Sequence, residues 1–129
     1  MNKHQFKFAQ DVMTLMLYVW EQGWRVTFGE AHRTQSQALL NFFGYIVVRT
    51  ADGITLEKSR KLSKTLNSKH IDRLAIDFNF FKPDGSKFTL TYDKDDLQQF
   101  GDYWESLDEL NVWGGNWDFV DTPHFERRI

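Results

Sequence analysis

The chain has 129 residues, the length of one domain with room for a buried core, and it is 41% hydrophobic and 26% charged, which excludes a disordered polymer. A net charge of −2 predicts no general affinity for nucleic acid or an anionic membrane. With no cysteine, the chain has no disulfide framework, thiolate nucleophile or Cys-based zinc site, so any metal must be held by His, Asp or Glu.

Apolar residues recur at helical spacing from Phe8 to Val19 and predict a helix over residues 3–22 that stops at Gly23. The apolar run at 12–20 follows two lysines and faintly resembles a signal peptide. It is too short to span a bilayer, and no small-residue cleavage site follows it. We therefore expect a product made in the cytoplasm without a signal peptide.

Alternating residues at 24–31 predict a strand. Thr34 and Gln37 have the spacing of a capping box, so a short helix should begin there and end before Gly44. Residues 49–67 are polar and lack a clear period, which predicts a long surface loop.

The turn signal Asp52-Gly53 lies in that loop, as does a basic run from Lys58 to Lys64. Such a run could bind an acidic polymer, but a solvated segment is the more common outcome.

The C-terminal half predicts a hairpin, a helix and a short strand. In chain order these are strands at 74–81 and 88–92 around a turn at 82–86, a helix at 95–110, a loop at 112–117 and a strand at 118–121. Together the elements predict a single α+β domain over residues 1–129, with helices packed on a small antiparallel sheet.

Asp77 lies inside the most strand-like stretch of the chain, where a carboxylate is costly to desolvate unless something positive meets it. The alternative places Asp77 on a solvated face with Ala75 and Asn79. His70 is seven residues earlier, and on one unbroken strand the two side chains would point to opposite faces. A shared metal site therefore requires His70 to lie in the turn that enters the strand.

His124 follows Pro123, which disfavours a helix, so Asp121 and His124 must meet through a turn. Taken alone, His124 reads most simply as an ordinary polar residue. Zinc, however, accepts His nitrogen and Asp oxygen, and a catalytic site typically has three protein ligands plus water, whose pKa falls to about 7. His70, Asp77 and His124 fit as zinc ligands, and Asp121 fits as the base that accepts the proton of that water. Glu126 is a second candidate base, or a residue that supports a ligand.

The motif S-x-H-x-x-G-x-A-x-D is matched at four positions, Ser68, His70, Ala75 and Asp77. The chain here resembles the zinc peptidases of the D-alanyl-D-alanine carboxypeptidase and dipeptidase superfamily, which shares its fold with the hedgehog signalling domain. The sequence departs from the motif at Arg73, where the family has glycine, so the backbone of that turn is expected to differ.

The spacing of Asp121 and His124, with Trp113-Gly114-Gly115 ahead of it, is similar to the phage endolysin branch, whose members are L-alanyl-D-glutamate endopeptidases of peptidoglycan. Arg33-Thr34 with Gln37 is similar to the family's "RT…Q" signature. The resemblance implies that His70, Asp77 and His124 bind the metal and that Asp121 is the base.

By the same resemblance, Arg33 is a catalytic candidate that orients the substrate through its fork of donors and, with zinc, stabilises the oxyanion. A cation at the start of a helix is otherwise unfavourable, which favours a functional role. Gln37 and Ser68 are weaker substrate-binding candidates, because a capping box and a turn already explain them. His4 and His32 are left out of the site. Trp113 and Trp117 could stack on sugars, but core packing is the better interpretation.

We therefore expect a zinc-dependent endopeptidase, a phage endolysin that hydrolyses the L-Ala–D-Glu bond of peptidoglycan stems with Asp121 as the general base. It would act as a monomer on the bacterial wall, after another protein has opened the membrane, without inserting into the membrane or binding nucleic acid. One alternative is a D,D-carboxypeptidase or D-Ala-D-Ala dipeptidase. The other is a non-enzymatic, metal-stabilised binding module, against which the extra carboxylate Asp121 weighs.

Overall fold

A computed structural model describes residues 1–61 and 67–129, and its architecture is α+β, as predicted. Three helices and seven strands are distinguished in these ranges. The helices are α1 (Asn2–Glu21), α2 (Gln35–Phe43) and α3 (Lys94–Leu107). The strands are β1 (Arg25–Phe28), β2 (Tyr45–Thr50), β3 (Gly53–Lys58), β4 (Ala75–Asp84), β5 (Lys87–Thr91), β6 (Asn111–Trp113) and β7 (His124–Arg127).

Each of the three helices has at least one end marked by a capping residue or a glycine. After α1 the chain turns at Gly23, whose φ of 86° is in the left-handed region that glycine adopts readily. Thr34 Oγ1 accepts a hydrogen bond from the Gln37 backbone N–H at the start of α2, which confirms the predicted cap, and Gly44 ends that helix with φ 76°. The Asp93 side chain caps α3, which ends at Leu107, three residues before the predicted end.

The predicted hairpin is present, with a tighter turn than expected. Asp84 pairs with Lys87, so only Gly85 and Ser86 lie outside the strands, and Gly85 supplies the positive φ of 62° that a two-residue loop requires. Lys82 and Pro83 belong to β4 rather than to the turn. Pro83 is tolerated because it is exposed near the strand end.

The prediction of a surface loop over 49–67 was wrong for 49–58, where two strands lie. Residues 59–61 and 67 belong to no helix or strand, and 62–66 lie outside the described residues. β2 and β3 form an antiparallel hairpin whose turn is at Ala51 and Asp52, next to the predicted Asp52-Gly53 signal. All but one of the residues in these strands are exposed, so neither face carries the alternation that reveals a half-buried strand. The basic run from Lys58 to Lys64 lies partly outside the described residues.

Two predictions near the C-terminus were also wrong. Part of the predicted loop at 112–117 is strand β6, followed by a 3₁₀ turn at Gly114–Asn116. The predicted strand at 118–121 is instead a connection, exposed at 118–120 and partly buried at Asp121, and the strand is β7. All four residues of β7, HFER, are buried although only Phe125 is apolar, so the sequence has no apolar run there to indicate a strand.

The first strand ends earlier than predicted, at Phe28, because a bulge follows it. The Gly29 N–H donates to the Asp77 carbonyl at 2.8 Å, and the Asp77 N–H donates to the Glu30 carbonyl at 2.8 Å. Two residues therefore oppose the single residue Asp77, which is the arrangement of a β-bulge. Gly29 suits this position, since a Cβ there would lie 3.2 Å from the Asp77 Cβ.

The larger sheet has the order β1–β4–β7–β6, with β5 also paired to β4. One face packs on α1 and α3 through a core rich in aromatic rings, including Phe78, Phe80, Phe125, Phe100 and Trp104. The opposite face carries Asp77 and His124, which are direct partners across β4 and β7. The sheet therefore separates an aromatic core from a polar site.

No helix within residues 1–61 or 67–129 is long and apolar enough to cross a bilayer.

Candidate metal site

Sheet register brings the first two site residues together. Asp77 on β4 and His124 on β7 are opposite each other in an antiparallel pair, where side chains share a face and their Cβ atoms lie about 4.5–5.5 Å apart. Phe125 and Ile76, the next pair, point to the core. The pairing of β4 with β7 therefore fixes the relative position of this carboxylate and imidazole.

His70 comes from the turn that enters β4, as the metal hypothesis required. Its backbone N–H donates to Ser68 Oγ at 3.2 Å, and its carbonyl accepts from the Arg33 N–H at 3.1 Å. Arg73 ends the turn with φ 59°, the one non-glycine positive φ among the described residues. This turn keeps the left-handed conformation that glycine favours, although arginine stands there.

Three side-chain atoms converge in a nearly equilateral triangle. His70 Nε2 lies 3.2 Å from His124 Nδ1, and each of these nitrogens lies 3.3 Å from Asp77 Oδ1. A tetrahedral ion with ligand distances of about 2.0–2.1 Å, as for zinc, separates its ligand atoms by about 3.3–3.4 Å. The three residues can therefore hold a metal ion of that size, and their donor set suits zinc.

Asp77 Oδ1 provides an independent test of that fit. This oxygen is buried and accepts no hydrogen bond of good geometry from any described residue, although two ring nitrogens are within 3.3 Å. A buried carboxylate oxygen left without a partner is costly. A cation at the centre of the triangle would satisfy it.

The outer nitrogen of each imidazole faces an acceptor. His124 Nε2 lies 2.8 Å from Glu126 Oε2, and Glu126 Oε1 accepts from Arg128 Nε at 2.9 Å. His70 Nδ1 faces the Ala31 carbonyl oxygen at 3.4 Å. Such acceptors fix the tautomer in which the inner nitrogen presents its lone pair to a metal.

The charges of the cluster act strongly on one another. Burial lowers the pKa of His124, but the carboxylates of Asp77 and Glu126 outweigh burial and raise that pKa to about 9. Burial raises the pKa of Asp77, yet His124 and His70 hold it well below its usual range. Without a metal, His124 and Asp77 therefore favour the imidazolium and the carboxylate.

Asp121 approaches the cluster through the turn that precedes β7. Its backbone N–H donates to the Gly114 carbonyl at 2.9 Å, and its carbonyl accepts from the His124 N–H at 3.2 Å. Burial and the charge of Asp77 raise the pKa of Asp121 against the opposing effects of His124, His70 and Arg33. A carboxylate with a raised pKa beside a metal site is suited to accept and return a proton.

Arg33 lies at the edge of the same cluster with its side chain only 13% exposed. Its Nε and Nη2 donate to Glu30 Oε1 at 2.8 and 2.6 Å. The guanidinium is thus already held in one orientation, with the Nη1–Nη2 edge left over for a further acceptor.

The weaker candidates have other contacts. Gln37 donates through Nε2 to Asn41 Oδ1 at 2.6 Å, so its contacts are those of a helix residue and substrate binding stays a prediction. Ser68 is buried and supports the turn that carries His70. Trp113 is fully buried, as expected for core packing, whereas the Trp117 ring lies 5.0 Å from the His124 ring and so borders the site.

Sequence reasoning missed Glu30 and the support that Arg128 gives to Glu126. Both had a usable signal. Glu126 and Arg128 follow His124 at steps of two, so in a strand all three share a face. Glu30 precedes Arg33 by three residues, a common spacing for an ion pair. The contribution of the Ala31 carbonyl had no signal, because any residue supplies a backbone oxygen.

An antiparallel sheet that carries a His–Asp–His triangle beside a further carboxylate is an arrangement typical of metal-dependent hydrolases. A family model described as D-alanyl-D-alanine carboxypeptidase matches residues 61–127, more than half of the chain. The chain therefore belongs to this family of M15 peptidases, which are metal-dependent, as the sequence resemblance predicted.

The fold is similar to that of a solved structure, the Serratia marcescens L-Ala D-Glu endopeptidase ChiX. The TM-score is 0.52 with 21% sequence identity, over 80% of this chain and 66% of that chain. The present chain thus spans slightly less than two thirds of that structure. No match was found among curated proteins.

Proposed function

We propose that the protein is a zinc-dependent endopeptidase that hydrolyses the L-Ala–D-Glu bond in the peptide stems of bacterial peptidoglycan. The observation that carries the proposal is the triangle of His70, Asp77 and His124 with Asp121 next to it. Membership of a peptidase family supports hydrolysis, and the similar fold of an L-Ala D-Glu endopeptidase supports the choice of bond.

In this proposal His70, Asp77 and His124 hold the zinc ion. When bound, zinc supplies hydroxide near neutral pH by lowering the pKa of water to about 7, and it polarises the scissile carbonyl. Asp121 accepts a proton from the attacking water and delivers it to the leaving amine. Arg33 directs its free donor edge at a carbonyl or carboxylate of the stem peptide.

The direct experiment is digestion of purified peptidoglycan by the zinc-loaded protein, followed by identification of the new N-termini. We expect free N-terminal D-Glu. If soluble products never form above the level of a zinc-free sample, the hydrolase proposal is wrong.

Two variants separate binding from chemistry in that assay. Asp121→Asn should retain zinc within a few-fold while cleavage falls by about 10²–10⁴-fold, because only the proton acceptor is lost. His124→Ala should lose both zinc and cleavage. Full activity in Asp121→Asn would assign the base to another residue, with Glu126 the next candidate.

A D,D-carboxypeptidase is the second candidate, favoured by the description of the matching family model. The same digestion distinguishes it, because a carboxypeptidase releases free D-Ala and leaves the L-Ala–D-Glu bond intact. Aspartate at position 121, where the resembled carboxypeptidases have glutamate, supports the endopeptidase.

We further propose that residues 1–129 form one catalytic domain that acts as a monomer in phage-driven lysis. The zinc-loaded protein should then clear suspensions of bacteria whose membranes have been permeabilised, and it should elute at about 15 kDa. Clearing of intact and permeabilised cells at equal rates would argue against dependence on a separate membrane-opening protein.

A further inference from the structure

Glu30 makes contacts that neither the metal triangle nor the proposed base explains. The bulge at Gly29 and Glu30 interrupts the pairing of β1 opposite Asp77. Bulges of this kind redirect side chains next to active sites. Here the Glu30 carbonyl accepts from the Asp77 N–H, and the Glu30 carboxylate extends toward the turn that carries His70.

One carboxylate oxygen of Glu30 meets two functional groups. Oε1 accepts from Arg33 Nε and Nη2 at 2.8 and 2.6 Å, and the same atom is 3.7 Å from His70 Nδ1. The Arg33 N–H in turn donates to the His70 carbonyl at 3.1 Å. Glu30, Arg33 and His70 therefore form a closed ring of contacts beside the metal triangle.

This ring of contacts affects both the imidazole of His70 and the guanidinium of Arg33. Acceptors on the outer, Nδ1 side of His70 orient its imidazole so that Nε2 faces the metal triangle. The Ala31 carbonyl oxygen, 3.4 Å from His70 Nδ1, is the nearer acceptor, and the Glu30 carboxylate adds a negative charge on the same side of the imidazole. On the other side, Glu30 occupies one edge of the guanidinium and leaves the opposite edge to bind substrate.

We propose that Glu30 is a positioning residue that couples the metal site to Arg33, through one carboxylate oxygen shared by the guanidinium and the outer side of His70. Its effect on the metal is independent of the substrate. Its effect on Arg33 rests on the proposed peptidase function.

The first test measures zinc affinity by competition with a chromophoric chelator in the folded full chain. Glu30→Gln should weaken zinc binding at least about tenfold, as loss of a supporting partner typically does. Glu57→Gln is the matched control, since it removes the same charge from an exposed residue of β3 and should leave the affinity within about twofold. The visible spectrum of the cobalt-substituted protein should change in Glu30→Gln and not in the control.

Glu30→Asp serves as the second variant, because it keeps the charge and shortens the side chain by one methylene. It should bind zinc more tightly than Glu30→Gln and more weakly than the wild type. If Glu30→Gln does not fold by circular dichroism, Glu30→Asp decides the question. A folded Glu30 variant with the zinc affinity and cobalt spectrum of the wild type would overturn the proposal.

The coupling to Arg33 is tested by stem-peptide cleavage in Glu30→Gln, Arg33→Ala and the double variant, all at saturating zinc so that the effect of Glu30 on zinc affinity does not enter. If Glu30 acts through Arg33, the double variant should be no slower than about the slower single variant. Losses that multiply would overturn the coupling. If the wild type cleaves no peptidoglycan while zinc affinity responds as expected, the proposed function fails and the role of Glu30 at the metal stands.

Discussion

His124 is held between two carboxylates, Asp77 near Nδ1 and Glu126 at Nε2. Without a metal, these carboxylates favour the imidazolium, whose pKa is raised from 6.5 to about 9. A metal needs Nδ1 without its proton. Proton and metal therefore compete for one atom, and the contribution of the imidazolium to stability is fully present below pH 6.5 and lost as the pH rises through about 9.

The competition predicts a pH-dependent zinc affinity. Between pH 7 and about 9 the apparent association constant should rise about tenfold per pH unit, because one proton leaves for each ion bound, and it should level off above that range. Chelator competition across this range measures the slope. Glu126→Gln should move the plateau to lower pH, and a constant affinity from pH 7 to 9 would contradict the prediction.

Arg73 is a second residue whose environment conflicts with its identity. It stands where the resembled motif has glycine, and its φ of 59° is one that glycine adopts without the penalty of about 1–2 kcal/mol that a Cβ brings.

We expect Arg73→Gly to stabilise the protein by about 0.5–1 kcal/mol, since relief of that penalty exceeds the added entropy of the unfolded chain. Urea denaturation should show a higher midpoint with an unchanged slope. Lys69→Gly, in the same turn at a negative φ, is the control and should destabilise. Equal effects of the two changes would show that strain at position 73 is not the cause.

Among the elements, the junction of β6 and the 3₁₀ turn packs directly against the turn that carries the candidate base. The Trp113 ring fills a slot where a Cβ on Gly101 or Gly115 would lie 2.1 or 2.2 Å from it. Trp113 Nε1 donates to the Thr122 carbonyl at 2.8 Å. Gly114 packs so closely on the next turn that its own Cβ would lie 2.4 Å from the Asp121 carbonyl oxygen. The Trp-Gly-Gly sequence is thus explained by packing behind Asp121.

Gly114→Ala should therefore displace the turn of Asp121, lower the stability by about 1–3 kcal/mol and reduce cleavage at least about tenfold. Gly85→Ala is the control. Its Cβ would meet nothing within 4 Å, but its φ of 62° makes alanine costly, so it should lose stability without losing activity. Activity within twofold of the wild type in Gly114→Ala would contradict the prediction, because the turn of Asp121 would then accommodate the added Cβ.

The same elements show what the sequence could predict. The helices followed from periodicity and capping residues, and the β4–β5 hairpin followed from its turn residues. The place of His70 in a turn followed from strand alternation together with the metal hypothesis. β7 could not be predicted, because its polar side chains are buried by neighbours distant in sequence. The bulge at Gly29 was equally hidden, since it depends on pairing with Asp77. The candidate metal ligands were predicted because their residue types and spacing match a motif. Glu30 was overlooked although its spacing from Arg33 suggests an ion pair, because its contact with His70 depends on tertiary structure.

At the scale of the whole molecule, the site joins parts of the chain that meet only after folding. His70 and His124 are 54 residues apart, and β4, β7 and the turn at His70 must all be formed before the triangle exists. An ion bound there stabilises the folded chain and not the unfolded one.

Removal of zinc should therefore lower the melting temperature. At a free zinc concentration 100 times the dissociation constant, the stabilisation is about 2.7 kcal/mol, which corresponds to roughly 10 °C for a chain of this size. Differential scanning calorimetry with and without a chelator measures it. His124→Ala should show no difference between the two conditions, and a zinc-independent melting temperature in the wild type would exclude a bound ion under those conditions.

The pairing of Asp77 with His124 would also make a bound metal ion a reporter of correct assembly. If β7 slipped by one residue against β4, Phe125 would face Asp77 and the imidazole would turn into the aromatic core. A misaligned chain could still be compact, but it would have no place for zinc. Metal uptake during refolding would then measure the fraction of molecules in the right alignment. Where free zinc is scarce, aligned and misaligned copies would both lack the ion and would not differ in activity.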